Sequence, residues 1–390
     1  MDKTTRKVTG WLIFIYLILF PFGQLLRWEA TIGVSIIPIY PTDLVVGVIF
    51  SLGILKGFPK PALFKYIKNF FYLAGFSFLV SAVIFKTAAI TTGLLYFLRL
   101  LAYSSLFLAA WNIAKDKKKW LGLLLGVCFA VGVFGWFQYL FYPDLRALYT
   151  WGWDDHLFRL VGTFLDPTFT GIILAFGFIM STVSFLFNKQ KRFLFLSLFF
   201  LISVAFTYAR GVYLGLLAGS LVVLILKKNL KLVALTVIAF FAIVVALPRP
   251  LGEGVRLERS YSVYSRLINY QETLAIIAKS PLFGIGYNNL CLARQKYLGD
   301  FNSVSHSCSG SDSSILLVLA TTGVVGFLGF LKLIKEIIKG VSRDIYGVSF
   351  LGVGVALLLH GMFANSYFYT WIMGFMAILL AISLKEKTSE

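Results

Sequence analysis

Arginine, histidine and aspartate stand where apolar sequence gives way to polar sequence, and these are the groups with chemistry to offer. Arg210 lies in Thr207-Tyr208-Ala209-Arg210-Gly211, between two apolar runs. A guanidinium binds phosphate bidentately and keeps its charge near neutral pH, so an arginine fixed at such a turn can hold an anionic group. It can equally be an interfacial anchor with a snorkelling stem. Arg266 begins Arg266-Leu267-Ile268-Asn269-Tyr270, and the stretch runs on to Pro281-Leu282-Phe283-Gly284-Ile285-Gly286-Tyr287. That reads as a short helix ended by a glycine turn. Its neighbours Arg256, Arg259 and Arg294, with Glu253, Glu258 and Glu272, read as a solvated face. His306 and Asp312 precede the next apolar run, and each is a candidate general base. Arg99 lies inside an apolar run, where a charge needs a partner or a function. It is either half of a structural ion pair or a pyrophosphate contact. Asp154-Asp155-His156 follows Trp151-Gly152-Trp153. Two carboxylates and an imidazole suit a divalent cation, whereas the aromatics suit a sugar-binding surface or an interfacial belt. A phosphate-loop lysine, an HExxH helix and paired CxxC motifs are all missing, which argues against ATP hydrolysis and zinc proteolysis.

The elements that must position these residues are membrane helices. The chain has 390 residues, 59% of them hydrophobic and 14% charged, with mean hydropathy +0.85. Soluble domains carry about 25% charge, so a soluble enzyme, a disordered chain and a disulfide-stapled module are excluded. Apolar runs occur near 10–26, 43–56, 69–85, 89–113, 120–142, 167–187, 193–209, 211–226, 232–248, 313–331, 346–364 and 367–384. The first follows a basic stretch but has no small-residue cleavage site, so it reads as an uncleaved span. The expectation is an all-α polytopic membrane protein of about twelve transmembrane helices, residues 1–390 forming one membrane domain. With both termini in the cytoplasm, the inside segments hold 23 of the 36 basic residues and 6 of the 17 acids. The net charge of +19 is then mostly orientation signal and not a nucleic-acid footprint. Residues 249–312 form the longest extracytoplasmic loop, and Leu267, Leu274, Ile276 and Ile277 at helical spacing predict a folded cap. Cys291 and Cys308 both fall in it, either bonded or as free thiols.

Four motifs in order resemble the O-antigen ligase/polymerase family of integral-membrane glycosyltransferases. Arg159-Leu160-Val161-Gly162-Thr163-Phe164-Leu165-Asp166-Pro167 is similar to the family's R-x-x-G-x-F-x-D/N-P segment. Thr207 to Gly211 is similar to its S/T-x-S-R-G turn, with Ala209 in place of the usual serine. Arg266 to Gly286 is similar to its R-…-P-L-x-G-x-G, and Ser311 to Gly326 to its H-N-x-x-L…G-x-x-G. The resemblance covers about residues 120–335. In the register set by Gly323 and Gly326 the family's histidine position falls on Asp312, with His306 six residues upstream.

The resemblance implies a GT-C-like fold in the cytoplasmic membrane and metal-independent glycosyl transfer with no cofactor. The donor would be a glycan on undecaprenyl pyrophosphate, and the acceptor a glycan, lipid or protein hydroxyl. Arg210 and Arg266 would hold the pyrophosphate, with Arg159 a further substrate-binding candidate. His306 or Asp312 would take the acceptor proton. Acceptor identity separates ligase from polymerase and from protein O-oligosaccharyltransferase. The competing reading is a transporter or flippase of lipid-linked glycans, which should place its polar groups at the bilayer midplane.

Overall fold

The computed structural model describes residues 1–32, 35–85, 90–228, 230–250, 252–299, 308 and 310–385. His306 lies outside the described residues. The first helices are α1 (Lys3–Leu19), α2 (Pro41–Lys56), α3 (Phe64–Ile84), α4 (Thr91–Ile113) and α5 (Lys117–Phe141). There follow α6 (Pro167–Asn188), α7 (Lys191–Ala205), α8 (Arg210–Leu226), α9 (Leu230–Ala246), α10 (Tyr261–Lys279) and α11 (Leu290–Leu298). The chain finishes with α12 (Ser314–Gly340), α13 (Ile345–His360) and α14 (Thr370–Ser383). Each of the twelve apolar runs is occupied by a helix. Among the described residues six are long and apolar enough to cross a membrane: α1 with its 3-10 extension to Leu26, α3, α4, α5, α6 and α12. Helices α8, α13 and α14 are apolar but shorter. The chain is a mostly helical, multi-pass membrane protein.

The expectation of an all-α chain needs one correction. An antiparallel hairpin, β1 (Trp28–Ile32) with β2 (Ser35–Ile39), pairs Trp28 with Ile39 and Ile32 with Ser35. The β-branched content of this stretch and the glycine between its halves explain the strands.

Helix α8 packs against α13 along a glycine stripe. A Cβ at Gly215 would lie 2.9 Å from the Ala356 carbonyl oxygen, and one at Gly219 would lie 2.5 Å from that of Gly352. Only glycine lets the two backbones approach this closely. Helix α6 sits at the centre of the bundle, with Ile172 to Phe176 wholly buried. Helices α8, α12 and α14 begin, and α13 ends, at one end of the bundle, which also carries α10, α11 and the hairpin. We call it the loop end.

Helix α12 is broken at Gly323, whose φ of +63° and ψ of −174° suit glycine alone. The Pro281–Gly286 turn fills the break. The Ile285 and Gly286 N–H groups donate to the Ala320 and Thr321 carbonyls at 2.9 and 3.0 Å. In return, the Val324 and Val325 N–H groups donate to Pro281 and Leu282 at 2.9 and 3.2 Å. From α3 the Ser77 hydroxyl lies within hydrogen-bond reach of the Thr321 and Phe283 carbonyls and donates its one proton between them. Irregular backbone inside a span is tolerated where protein groups satisfy it, and here they do.

Candidate active site

The Arg159–Pro167 segment leads the chain into α6. Gly162, at φ +64°, passes within van der Waals reach of Gly135 on α5. Asp166 caps α6 by accepting from the Thr168 and Phe169 N–H groups, and Pro167 follows at the first helical position. Arg159 is buried and donates from Nε to the Thr207 carbonyl at 2.9 Å and from Nη2 to that of Tyr208 at 3.4 Å. It therefore holds the turn that carries Arg210. Burial, then the nearby Arg259 charge, lowers its pKa to about 10.

That turn is tight. Tyr208 takes φ +52°, a conformation a bulky side chain enters only when its surroundings impose it. Its carbonyl also accepts from Arg259 Nη2 at 3.2 Å. Arg259 Nη1 donates to the carbonyls of Gly254 and Arg256. Ala209 is the N-cap of α8 and supplies no side-chain hydrogen bond, where the serine of the similar motif would. Arg210 follows as the first residue of α8. It donates to the Leu257 carbonyl at 3.0 Å and to the Ser262 hydroxyl at 2.8 Å.

Helix α10 lies across the loop end and presents one stripe to it. Ser262, Arg266, Asn269, Thr273 and Ile276 recur at three and four residues, and each is buried or half-buried. Arg266 Nε donates to the Phe363 carbonyl at 3.2 Å, and Nη1 reaches the Ser262 carbonyl at 3.5 Å. The Tyr270 hydroxyl donates to Met362 at 2.6 Å. Asn269 Oδ1 accepts from the Asp312 N–H at 2.8 Å and from the Ser311 hydroxyl at 3.2 Å. One helix thus brings together Arg210, Arg266 and Asp312. The Asp312 carboxylate is half-buried and has no hydrogen bond or ion pair to a described residue. Burial raises its pKa, and Arg266 and Arg294 pull it partly back. Arg259 is lowered by burial and by the like charges of Arg210 and Arg266.

Several sequence expectations change here. Leu267 and Leu274 are 53% and 51% exposed, whereas Ile276 is wholly buried, so the four apolar residues do not share one face. Helix α10 packs through its polar stripe instead. Arg259 is not part of a solvated face, since its guanidinium is anchored to the Arg210 turn. Arg294 is also buried; it pairs with Glu272 at 3.1 Å and donates to the Cys308 carbonyl at 2.6 Å. Cys291 and Cys308 are joined in a disulfide. Arg99 is half of an ion pair with Asp43 at 2.9 Å. Asp154 and Asp155 are exposed, while His156 is buried beside Arg159 and Arg259. Burial first, then those two charges, pushes the imidazole down to about 3. Among the described residues no three metal-ligating side chains gather. Ser262, Asn269 and Tyr270 were not singled out as site residues by the sequence, although the helical period from Arg266 runs through them.

The arrangement puts guanidinium groups beside a half-buried carboxylate at the loop end, which suits an anionic leaving group next to a proton acceptor. No curated protein matches the chain. Residues 194–331, which hold Arg210, Arg259, Arg266 and Asp312, match the O-antigen ligase family model, and this match supports the O-antigen ligase/polymerase family.

Proposed function

We propose that the chain transfers a glycan from a polyprenyl-pyrophosphate donor, undecaprenyl in type, to an acceptor hydroxyl at the outer face of the cytoplasmic membrane. The observation that carries this reading is the meeting of Arg210 and Arg266 at Ser262, with Asp312 docked on the same helix. The acceptor oxygen attacks the anomeric carbon, and the bond from that carbon to the pyrophosphate oxygen breaks. The lipid pyrophosphate leaves with the bonding electrons. Arg210 and Arg266 stabilise the growing negative charge, so no metal or other cofactor is required. Asp312 takes the acceptor proton, or His306 does so from the same loop. Arg159 and Arg259 position the turn that holds Arg210.

In this reading the loop end faces outward, twelve helices cross the membrane in a GT-C-like arrangement, and both termini lie in the cytoplasm. Residues 1–390 then form one membrane domain, and 249–312 is its large outer loop. Two observations support that orientation. Basic clusters recur at the opposite end of the bundle, as in Lys115-Asp116-Lys117-Lys118-Lys119 and Lys189-Gln190-Lys191-Arg192. The Cys291–Cys308 disulfide belongs in an oxidising compartment.

The test is reconstitution of the protein in vesicles with a polyprenyl-pyrophosphate glycan and candidate glycan, lipid and protein acceptors. Release of glycan from its carrier onto one acceptor is the expected result. Passage of the intact lipid-linked glycan across the bilayer, without release, would overturn the proposal in favour of a flippase.

A further inference from the structure

A second feature of the loop end lies apart from the arginines on α8 and α10. A cavity of about 150 Å³ opens over Arg99 among the starts of α2, α4 and α14 and the hairpin. Tyr40, Tyr96, Tyr287, Phe368, Tyr369 and Trp371 form most of its wall. We infer that this cavity is a subsite for one uncharged pyranose ring of a glycan substrate, an inference that rests on the glycosyl-transfer reading above.

Charge decides against an anion. Arg99 is the cation on the cavity wall, and Asp43 already neutralises it at 2.9 Å. Asp43 also accepts from the Tyr103 hydroxyl and the Tyr40 N–H, each at 2.9 Å. A phosphate entering here would find a neutral pair, with no net positive charge to draw it from water. Arg99 Nη2 donates to Asp43 and to the Pro38 carbonyl. The guanidinium carbon lies 5.2 Å from the Tyr96 ring centroid.

The walls are built and held. The Tyr40 hydroxyl donates to Gln24 at 2.7 Å, and Gln24 donates to the Tyr369 hydroxyl at 3.2 Å. Tyr369 stacks on Phe169 with centroids 3.8 Å apart, and Tyr40 meets Trp371 at 4.6 Å. Tyr287 meets Phe368 at 5.2 Å. Trp371 is 2% exposed, which fixes its ring in the wall. Aromatic faces around a neutral ion pair suit a ligand with an apolar C–H face and uncharged hydroxyl groups. A pyranose ring has both. The volume is below the roughly 300–1,000 Å³ of sites for drug-sized ligands, which limits the occupant to about one ring.

A short stretch of chain links the cavity to the proposed reaction centre. Phe363 accepts from Arg266, and Phe368, five residues on, lines the cavity. Five extended residues reach at most about 18 Å. A glycan whose reacting end is at the arginines can therefore place a later ring over Arg99.

The test uses the full-length protein in nanodiscs and a panel of neutral methyl pyranosides, read by saturation-transfer NMR. At least one pyranoside should receive saturation. Phe368→Leu and Tyr287→Leu should weaken its binding about tenfold, the loss expected for one aromatic face. Variants are compared only where their melting temperatures match wild type, and Tyr96→Phe, which keeps the ring, provides a milder substitution. In the vesicle assay the same variants should raise KM about tenfold with kcat nearly unchanged. A rise for the donor assigns the ring to the donor glycan, and a rise for the acceptor assigns it to the acceptor. The proposal is overturned if no pyranoside binds wild type, if binding survives both leucine variants, or if inorganic pyrophosphate or a phospholipid headgroup displaces the sugar. Absence of transfer by wild type would sink the transferase reading, while the NMR experiment would still decide whether the cavity takes a sugar.

Discussion

Arg210 and Arg266 converge on a single residue: the Ser262 hydroxyl accepts from Arg210 at 2.8 Å, and the Ser262 carbonyl from Arg266 at 3.5 Å. Two like charges are brought together at the cost of mutual repulsion, with backbone oxygens and one hydroxyl as their partners. No carboxylate forms a salt bridge to either among the described residues. In the proposed function this pair awaits an anion, whereas Arg99–Asp43 is a closed ion pair.

The first prediction follows from that difference. Arg210→Lys and Arg266→Lys keep the charge but lose the planar fork. Each should lower the rate of glycan release by about 10²-fold, and alanine should be worse. Arginines that only anchor the interface would tolerate lysine, which snorkels equally well. Release rates at matched expression separate the two.

A second prediction concerns the proton acceptor. Loss of the true base should lower turnover by about 10²–10⁴-fold, so Asp312→Asn and His306→Ala should differ widely. The pH profile identifies the group independently. A base works deprotonated, so the rate falls as pH drops through its pKa. Burial raises the Asp312 carboxyl, so its acid limb should lie above the ordinary aspartate value of about 3.9. A limb near about 6.5 that survives Asp312→Asn would assign the role to His306.

Much of this architecture was legible. The twelve apolar runs are helices because burial of apolar surface dictates them. Arg210 and Asp312 stand out because charge at the end of an apolar run is costly unless used, and Arg266 because it opens a helical stretch closed by a glycine turn. Their assembly was not legible, because it depends on which face α10 presents. Leu267 and Leu274 suggested an apolar packing face, yet the polar Ser262–Arg266–Asn269–Thr273 stripe satisfies the carbonyls and N–H groups exposed where α12 begins and α13 ends. The hairpin was missed for a different reason. Residues 27–42 lie between two apolar runs whose pattern is stronger, although isoleucine on both sides of Gly33 carries a strand signal. Arg259 looked like one member of a mixed charged surface, and only the fold shows that it shares the Tyr208 carbonyl with Arg159.

A third prediction uses the disulfide. Cys291 and Cys308 are 17 residues apart, and their bond ties α11 to the segment before α12, where Arg294 also binds the Cys308 carbonyl. Closing a loop of that size is worth about 3 kcal/mol. Cys308→Ser should therefore lower the melting temperature of the detergent-solubilised protein. A maleimide reagent that cannot cross membranes should label intact wild-type cells only after reduction. Labelling without reduction would show that the thiols are free, and no labelling after reduction in intact cells, with labelling after lysis, would place the loop inside.

The last prediction tests the break in α12. Two motifs that lie far apart in sequence, Pro281–Gly286 and Gly323–Gly326, are the two halves of one structure. A Cβ at Gly323 would lie 2.2 Å from the Leu282 carbonyl oxygen, and one at Gly284 would lie 2.5 Å from the Thr321 carbonyl carbon. Neither contact can relax cheaply, because both partners are backbone in the exchanged hydrogen bonds. Both glycines also sit at positive φ, +63° and +70°, and forcing a side chain there costs of order 1–3 kcal/mol before any clash is counted. Gly323→Ala and Gly284→Ala should each reduce the melting temperature sharply or abolish monodisperse protein. Gly299→Ala is the control: its φ is +67° but nothing lies within 4 Å of the added methyl, so it should lose only the conformational term. If all three variants melt alike, the turn is not seated in the helix break. A continuous α12 would then separate the two motifs that the fold joins.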